Sequence, residues 1–326
     1  MNAQKKSGAS NLIKRAMAST PGMILLVLVG ISVILQIATG YFFTPYNMTT
    51  NIRTISFTAM VAIGQTLVLI SGGIDLSVAG IAGLSGIISA WLMVNTGIPP
   101  YLCIIITVVG GFLCGLLNGL LVTRMRINPF ITTLAMGEIF TGFIYVLTQG
   151  WPIQNVPKVA TFLGQGIVLG IPLPVIFMSA FSIIFFYVLK YAPFGRHIYA
   201  IGGNENAARI VGINVKRTKM LVYGFSSMMA AIAGVLVMCR LGAAQPSTGQ
   251  NWVMPSVTAA IIGGTSLSGG VGGIPGTLVG ATLMTIITNA IVLLSISAYW
   301  EKVIIGLVVL TAVTIDVTRN RKTRKQ

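Results

Sequence analysis

The chain has 326 residues, of which 55% are hydrophobic and 8% charged. Soluble domains carry about 25% charged residues, so a water-facing globular surface is excluded. Its 21 Lys and Arg outweigh five acidic residues, for a formal charge of +16. In so apolar a chain that excess reads as the basic loops that stay on the cytoplasmic side of a membrane, and no nucleic-acid partner is expected. Cys103, Cys114 and Cys239 lie in or beside apolar runs without metal-ligand spacing, so no metal site is expected.

A hydrocarbon core of about 30 Å needs about 20 apolar residues in a helix. Runs of that kind predict spans at 23–40, 54–71, 76–94, 101–122, 129–148, 167–189, 218–239, 252–265, 274–294 and 303–317. The fold class is therefore all-α, a polytopic transmembrane helical bundle of about ten spans. The first run follows Lys5, Lys6, Lys14 and Arg15. It is long for a signal peptide and lacks an A-x-A site, so it reads as a retained helix. With an inside N-terminus and alternating spans, every basic residue except Arg53, Lys158, Arg240 and Lys302 falls inside, as the positive-inside rule requires. Both termini are then cytoplasmic: a segment 1–22, a membrane domain 23–317 with a large inner loop at 190–219, and a basic tail 318–326.

Glycine recurs within the spans, notably Gly110, Gly111 and Gly115 with Asn118-Gly119, and small residues let helices approach closely in lipid. Gly72-Gly73-Ile74-Asp75-Leu76-Ser77 is echoed by Gly263-Gly264-Thr265-Ser266-Leu267-Ser268. Gly-interrupted segments at matching positions point to a substrate path in transporters built from repeats; shared composition is the other reading.

Enzymatic chemistry is poorly served. No G-x-x-x-x-G-K-[ST] loop occurs, so the chain is not expected to hydrolyse ATP itself. His197 is the sole histidine, which removes zinc-protease and Ser-His-Asp chemistry. Charge at membrane depth needs a reason, since a carboxylate at a helix centre costs about 2.5–3.5 kcal/mol. Asp75 sits in the break between two spans, where it can cap the next helix or meet substrate. Glu138 lies in the fifth span with Thr132, Thr133, Thr141 and Thr148; the two readings are a polar stripe facing a pathway and an inter-helix contact. Gln65, Asn118 and Asn289 are further polar groups suited to sugar hydroxyls or to neighbouring helices.

In the inner loop Asn204 is placed to cap a helix of about two turns, with Glu205 in its first turn and Gly212 at C′. A helix so short is unstable alone and must dock on something.

At this loop the chain becomes recognisable. Gly195-Arg196-His197-Ile198-Tyr199-Ala200-Ile201-Gly202-Gly203-Asn204-Glu205, followed by Gly212-Ile213-Asn214-Val215, resembles the cytoplasmic loop of permeases in ribose, xylose and arabinose ABC importers. So do Gly73-Ile74-Asp75-Leu76-Ser77-Val78, Ala244-Gln245-Pro246 and Gly263-Gly264-Thr265-Ser266-Leu267. The resemblance implies a permease subunit for a ribose-like monosaccharide, working with a second copy or sister permease in the bacterial inner membrane. It also implies a periplasmic sugar-binding protein and a separate cytoplasmic ATPase that binds the ATP, with no cofactor on this chain. Coupling to the ATPase is carried over to Gly202, Gly203, Asn204, Glu205, Ala208, Arg209 and Gly212, and pathway lining to Asp75, Ser77 and Gln245. Two departures stand out. Trp252-Val253-Met254-Pro255 replaces the acidic residues usual before the second Gly-Gly motif. In the fifth span Thr141 stands where Arg is common, and Glu138 where an apolar residue is. The alternative class is a self-contained secondary transporter or channel, for which only Asp75 and Glu138 could serve as coupling carboxylates.

Overall fold

The computed structural model describes residues 20–297 and 299–323, with side chains described over 22–297 and 299–314. Most of the N-terminal segment and the last three residues of the basic tail lie outside the described residues. The helices are α1 (Thr20–Thr39), α2 (Pro45–Ile70), α3 (Val78–Asn95), α4 (Pro100–Arg124), α5 (Pro129–Thr148) and α6 (Lys158–Gln165). After a two-stranded hairpin come α7 (Leu173–Tyr191), α8 (Pro193–Gly203), α9 (Glu205–Ile210), α10 (Val215–Leu241), α11 (Val253–Ile262), α12 (Ile274–Leu293) and α13 (Tyr299–Thr323). Eight of them, among the described residues, are long and apolar enough to cross a membrane: α1 to α5, α7, α10 and α12.

Local chemistry fixes many of these boundaries. Pro45, Pro100, Pro129, Pro174, Pro193 and Pro275 stand in the first turns of α2, α4, α5, α7, α8 and α12. Proline is preset for that position, because its missing N–H has no helical partner there anyway. Two expected spans change at their starts. Helix α2 begins at Pro45 rather than residue 54, taking in a polar stretch that hydropathy alone excludes. Residues 167–172 are not helical: Ile167–Val168 pairs antiparallel with Ile171–Pro172. Leu169 and Gly170 both have positive φ, the conformation a two-residue hairpin turn demands.

Helix α10 is the spine, packed along α4, α3 and α2. Contact with α4 depends on Gly111, Gly115 and Gly119, spaced four apart on one face. A β-carbon at Gly119 would lie 2.5 Å from the Met220 α-carbon, and one at Gly115 would overlap the Tyr223 carbonyl oxygen. Gly110 faces open space. The tightly packed helix expected from this run is thus present, through three of its four glycines. Helix α1 is peripheral. It packs on α12 and leaves Val27, Ile34 and Ile37 exposed, which suits a helix whose outer face meets lipid.

The expected span at 252–265 is a broken one. Helix α11 has ten residues, about 15 Å at 1.5 Å per residue. The chain from Gly242 reaches it without helix: Ala244 bridges Ile153, and Thr248 and Gly249 then lie against Gly83 and Ala79 near the start of α3. Irregular backbone at membrane depth is stable only where protein or a cavity surrounds it.

Helices α2 and α11 end alike. Gly72 N–H donates to Leu69 O at 2.9 Å and Gly73 N–H to Val68 O at 3.0 Å; Gly264 N–H donates to Ile261 O at 2.9 Å and Thr265 N–H to Ala260 O at 2.9 Å. Gly72 and Gly264 hold φ of +77° and +96°. This is the Schellman C-cap. Structure therefore pairs Gly72 with Gly264, one residue out of the register in which the two sequence motifs match. What the segments share is a cap rather than a superposable six-residue unit.

Candidate functional site

Three places gather the singled-out residues. The first is a cavity of about 810 Å3 between α3, α5, α13 and the start of α11. Glu138 and Thr141 face it from α5, Gln250 and Asn251 from the unwound approach to α11, and Glu301 and Lys302 from α13. Val253, Met254 and Pro255, the stretch that departs from the family pattern, form its edge at the N-terminus of the half-length helix. The polar stripe expected on α5 is reduced to Glu138 and Thr141. Thr132, Thr133 and Thr148 are buried and line no part of the cavity.

The second place is a buried polar cluster where α2 gives way to α3. Asp75 is 0% exposed. Its Oδ1 accepts from Ser77 N–H at 3.0 Å and Ser77 Oγ at 2.6 Å, and its Oδ2 accepts from Ser226 Oγ at 2.9 Å. Asn118 Nδ2 donates to Ser77 Oγ at 2.7 Å, and Gln65 Nε2 donates to the Asp75 carbonyl. Four expected pathway residues, Gln65, Asp75, Ser77 and Asn118, are thus brought together, in the interior and off the cavity wall. The Asp75 side chain fixes Ser77, the residue before the first turn of α3, rather than capping an N–H of the helix itself. Gln65 Oε1, Asn118 Oδ1 and Ser227 Oγ have no hydrogen-bond partner among the described residues.

The remaining two stand apart. Asn289 exchanges amide hydrogen bonds with Asn47, at 2.9 and 3.3 Å, and so ties α12 to α2, the inter-helix contact rather than a free polar group. Gln245 is exposed in the segment leading down to α11.

The third place is the loop end of the bundle. Helix α9 forms as its sequence requires: Asn204 Oδ1 accepts from Ala207 N–H at 3.0 Å, and Gly212, at φ +84°, closes the Schellman cap through Ile213 N–H to Ala208 O at 3.0 Å. Glu205 pairs with Arg209 one turn on and with Lys219 of α10 at 2.6 Å. Burial alone would raise the Glu205 carboxyl, but the hydrogen bonds and charge of Lys219 and Arg209 hold it below the usual glutamate range. Ala208 is buried, while Ile210 and Val211 are 86% and 74% exposed at the tip.

Behind this tip lies a feature that motif reading did not find. A β-carbon on Gly202 would overlap the Ile70 carbonyl oxygen and come within 2.5 Å of Gly270 N. Gly270 N–H in turn donates to Ile70 O at 2.9 Å, and Gly269 lies against Gly202 and Gly72. The end of α8 is therefore wedged between the end of α2 and the break after α11. Only the glycine pairs themselves signalled it, and their partners are far apart in sequence. Ser226 was likewise missed, since nothing local distinguishes one serine of α10 from the next.

The family described as branched-chain amino acid transport system / permease component matches residues 47–313. The ribose import permease protein RbsC of Bacillus subtilis is 40% identical over 87% of this chain and 88% of its own. RbsC of Escherichia coli K12 is 34% identical over 97% and 99%. The xylose transport system permease protein XylH of Haemophilus influenzae is 32% identical over 91% and 96%. No solved structure matches the chain. The half-length helix, the cavity and the loop carrying α9 all lie within the matched residues, and the chain belongs to this family of transport-system permease components.

Proposed function

We propose that the chain is the membrane-spanning permease subunit of an ATP-driven importer, carrying a ribose-like monosaccharide through the bacterial inner membrane. It works beside a second copy or a sister permease, under a periplasmic sugar-binding protein and on a separate cytoplasmic ATPase that binds the ATP. The eight long helices, the broken crossing 242–262 and α13 make ten crossings with both termini inside. This places α8 and α9 in the cytoplasm, where the basic loops belong.

The observation that carries the reading is the wedge at Gly202. Helix α9 offers an apolar tip to the ATPase, and α8 carries its displacement to Ile70 and Gly270, the ends of the two interrupted segments. Moving the wedge changes the tilt of α2 and α11 together, and both border the break or cavity a sugar must pass. A two-state element of this kind is biased at one end by nucleotide and at the other by the loaded binding protein. In the cavity Glu138, Gln250 and Asn251 supply acceptors and donors for hydroxyls. Opening the Gly72–Ser77 break would add Gln65, Asp75, Ser77 and Asn118, while Gln245 and Asn289 border the route from outside. The test is uptake by the chain reconstituted with its ATPase and binding protein. Ala at Gly202 is expected to abolish uptake while the complex still assembles; full uptake by that variant would overturn the coupling route.

A further inference from the structure

At the loop end, a cleft of about 410 Å3 opens between the α4–α5 turn and the start of α10. Arg126, Arg209, Lys216 and Lys219 line it, with Glu205 the one carboxylate. Glu205 is already shared by Arg209 and Lys219, which leaves Arg126 and Lys216 without a carboxylate partner among the described residues. Arg126 is held at φ +57°, a left-handed conformation uncommon outside glycine. Helices α5 and α10 both begin at this cleft, so two positive helix ends add to its field. The cleft attracts an anion.

Its surroundings say which kind. Immediately beside the cations, Met125, Ile127, Phe130 and Ile131 are 63%, 40%, 51% and 60% exposed, and Leu117 and Leu120 of α4 continue the apolar surface. Bilayer lipid covers that apolar surface, so a phospholipid is the anion already at the edge of the cleft. A molecule with a phosphate head and acyl chains would satisfy both parts. The level is also right, since the spans end here and headgroups lie where spans end.

We propose that this cleft binds the headgroup of an anionic phospholipid, with Arg126 and Lys216 on its phosphate and the acyl chains along α4 and α5. Helices α4, α5, α9 and α10 meet at the cleft, so a bound lipid clamps the loop that carries α9 to the membrane surface. A lysine or arginine near the surface contributes about fivefold to such binding, so loss of both lowers affinity roughly thirtyfold.

The test uses the full chain, purified in neutral detergent and titrated with phosphatidylglycerol, phosphatidylcholine or inorganic phosphate, with bound lipid counted by native mass spectrometry and stability followed by thermal melting. Wild type is expected to retain and be stabilised by phosphatidylglycerol selectively. The R126Q/K216Q variant is expected to lose that selectivity, and the charge-preserving R126K/K216R variant to keep it. Equal binding of phosphatidylglycerol and phosphatidylcholine by wild type would overturn the proposal, as would undiminished selectivity in R126Q/K216Q. Stabilisation by inorganic phosphate equal to that by the lipid would overturn the lipid assignment. Should R126Q/K216Q not fold, a photoactivatable phosphatidylglycerol must label residues 117–131 of wild type; labelling elsewhere only would also overturn it.

Discussion

Gly202 and Ile70 touch backbone to backbone: the glycine has no room for a β-carbon beside the Ile70 carbonyl oxygen, which at the same time accepts from Gly270 N–H at 2.9 Å. Two residues separated by four spans, α3, α4, α5 and α7, thus meet at one point with the break after α11. Gly203, the next residue, has open space where its β-carbon would be.

That contrast makes a paired test. Gly202→Ala forces apart α2, α8 and the 263–273 segment; overpacking of this sort costs about 1–3 kcal/mol, and uptake should fall by more than tenfold. Gly203→Ala should leave uptake and melting temperature unchanged. Equal behaviour of the two variants in an uptake assay would show that the contact does not transmit motion.

Glu205 supports a pH prediction. Its carboxyl is held below the ordinary glutamate value, so its contribution to stability is complete above the unfolded value of about 4.3 and is lost as pH falls through the lowered folded one. The group is partly exposed, and the contribution is under about 1 kcal/mol. Thermal melts of Glu205→Gln should therefore lie slightly below wild type at pH 7.5 and converge with it as pH approaches 3. Glu205→Ala should also reduce sugar-stimulated ATP hydrolysis by the assembled complex, because α9 loses its tie to Lys219.

Asp75 is expected to matter most for stability. Asp75→Ala strands the Ser77 N–H, the Ser77 hydroxyl and the Ser226 hydroxyl in the interior, at about 1–3 kcal/mol for each unsatisfied group, so a loss of about 3 kcal/mol or more follows. Asp75→Asn keeps one acceptor oxygen and should lose less. Ser226→Ala leaves only Asp75 Oδ2 without its donor and should cost about 1–3 kcal/mol, less than Asp75→Ala. Melting curves in detergent order the three.

Glu138 should show the opposite pattern. It faces the cavity and is exposed, so Glu138→Gln should leave the melting temperature within error. Sugar uptake or the preference among pentoses and hexoses should change severalfold. A variant with altered stability and native uptake would return Glu138 to a packing role.

Legibility in the sequence followed the range of the interaction. The cap of α9 was readable because Asn204, Glu205 and Gly212 act on neighbours a few residues away. That α4 packs closely was readable from its glycines, but that its partner is α10 was not. The start of α2 was not, since Pro45 and the polar turns after it are held by tertiary contacts such as Asn47 with Asn289. The polar, Gly- and Pro-containing stretch from Gly242 to Asn251 was readable as a break between two spans, but its path against Gly83 and Ala79 was not. On α5 the three-residue step from Glu138 to Thr141 was readable and both face the cavity, whereas the burial of Thr132, Thr133 and Thr148 depends on neighbours that no local pattern names. The wedge at Gly202 was out of reach, since it joins three backbone segments through residues that have no side chain to advertise a partner.

The most direct measurement is sugar flux into proteoliposomes, with the chain alone and then with its ATPase and sugar-binding protein. The account predicts no concentrative uptake by the chain alone, and uptake that starts on adding the partners with ATP and stops when the ATPase cannot hydrolyse it. Concentrative uptake by the chain alone, driven by an ion gradient, would contradict it.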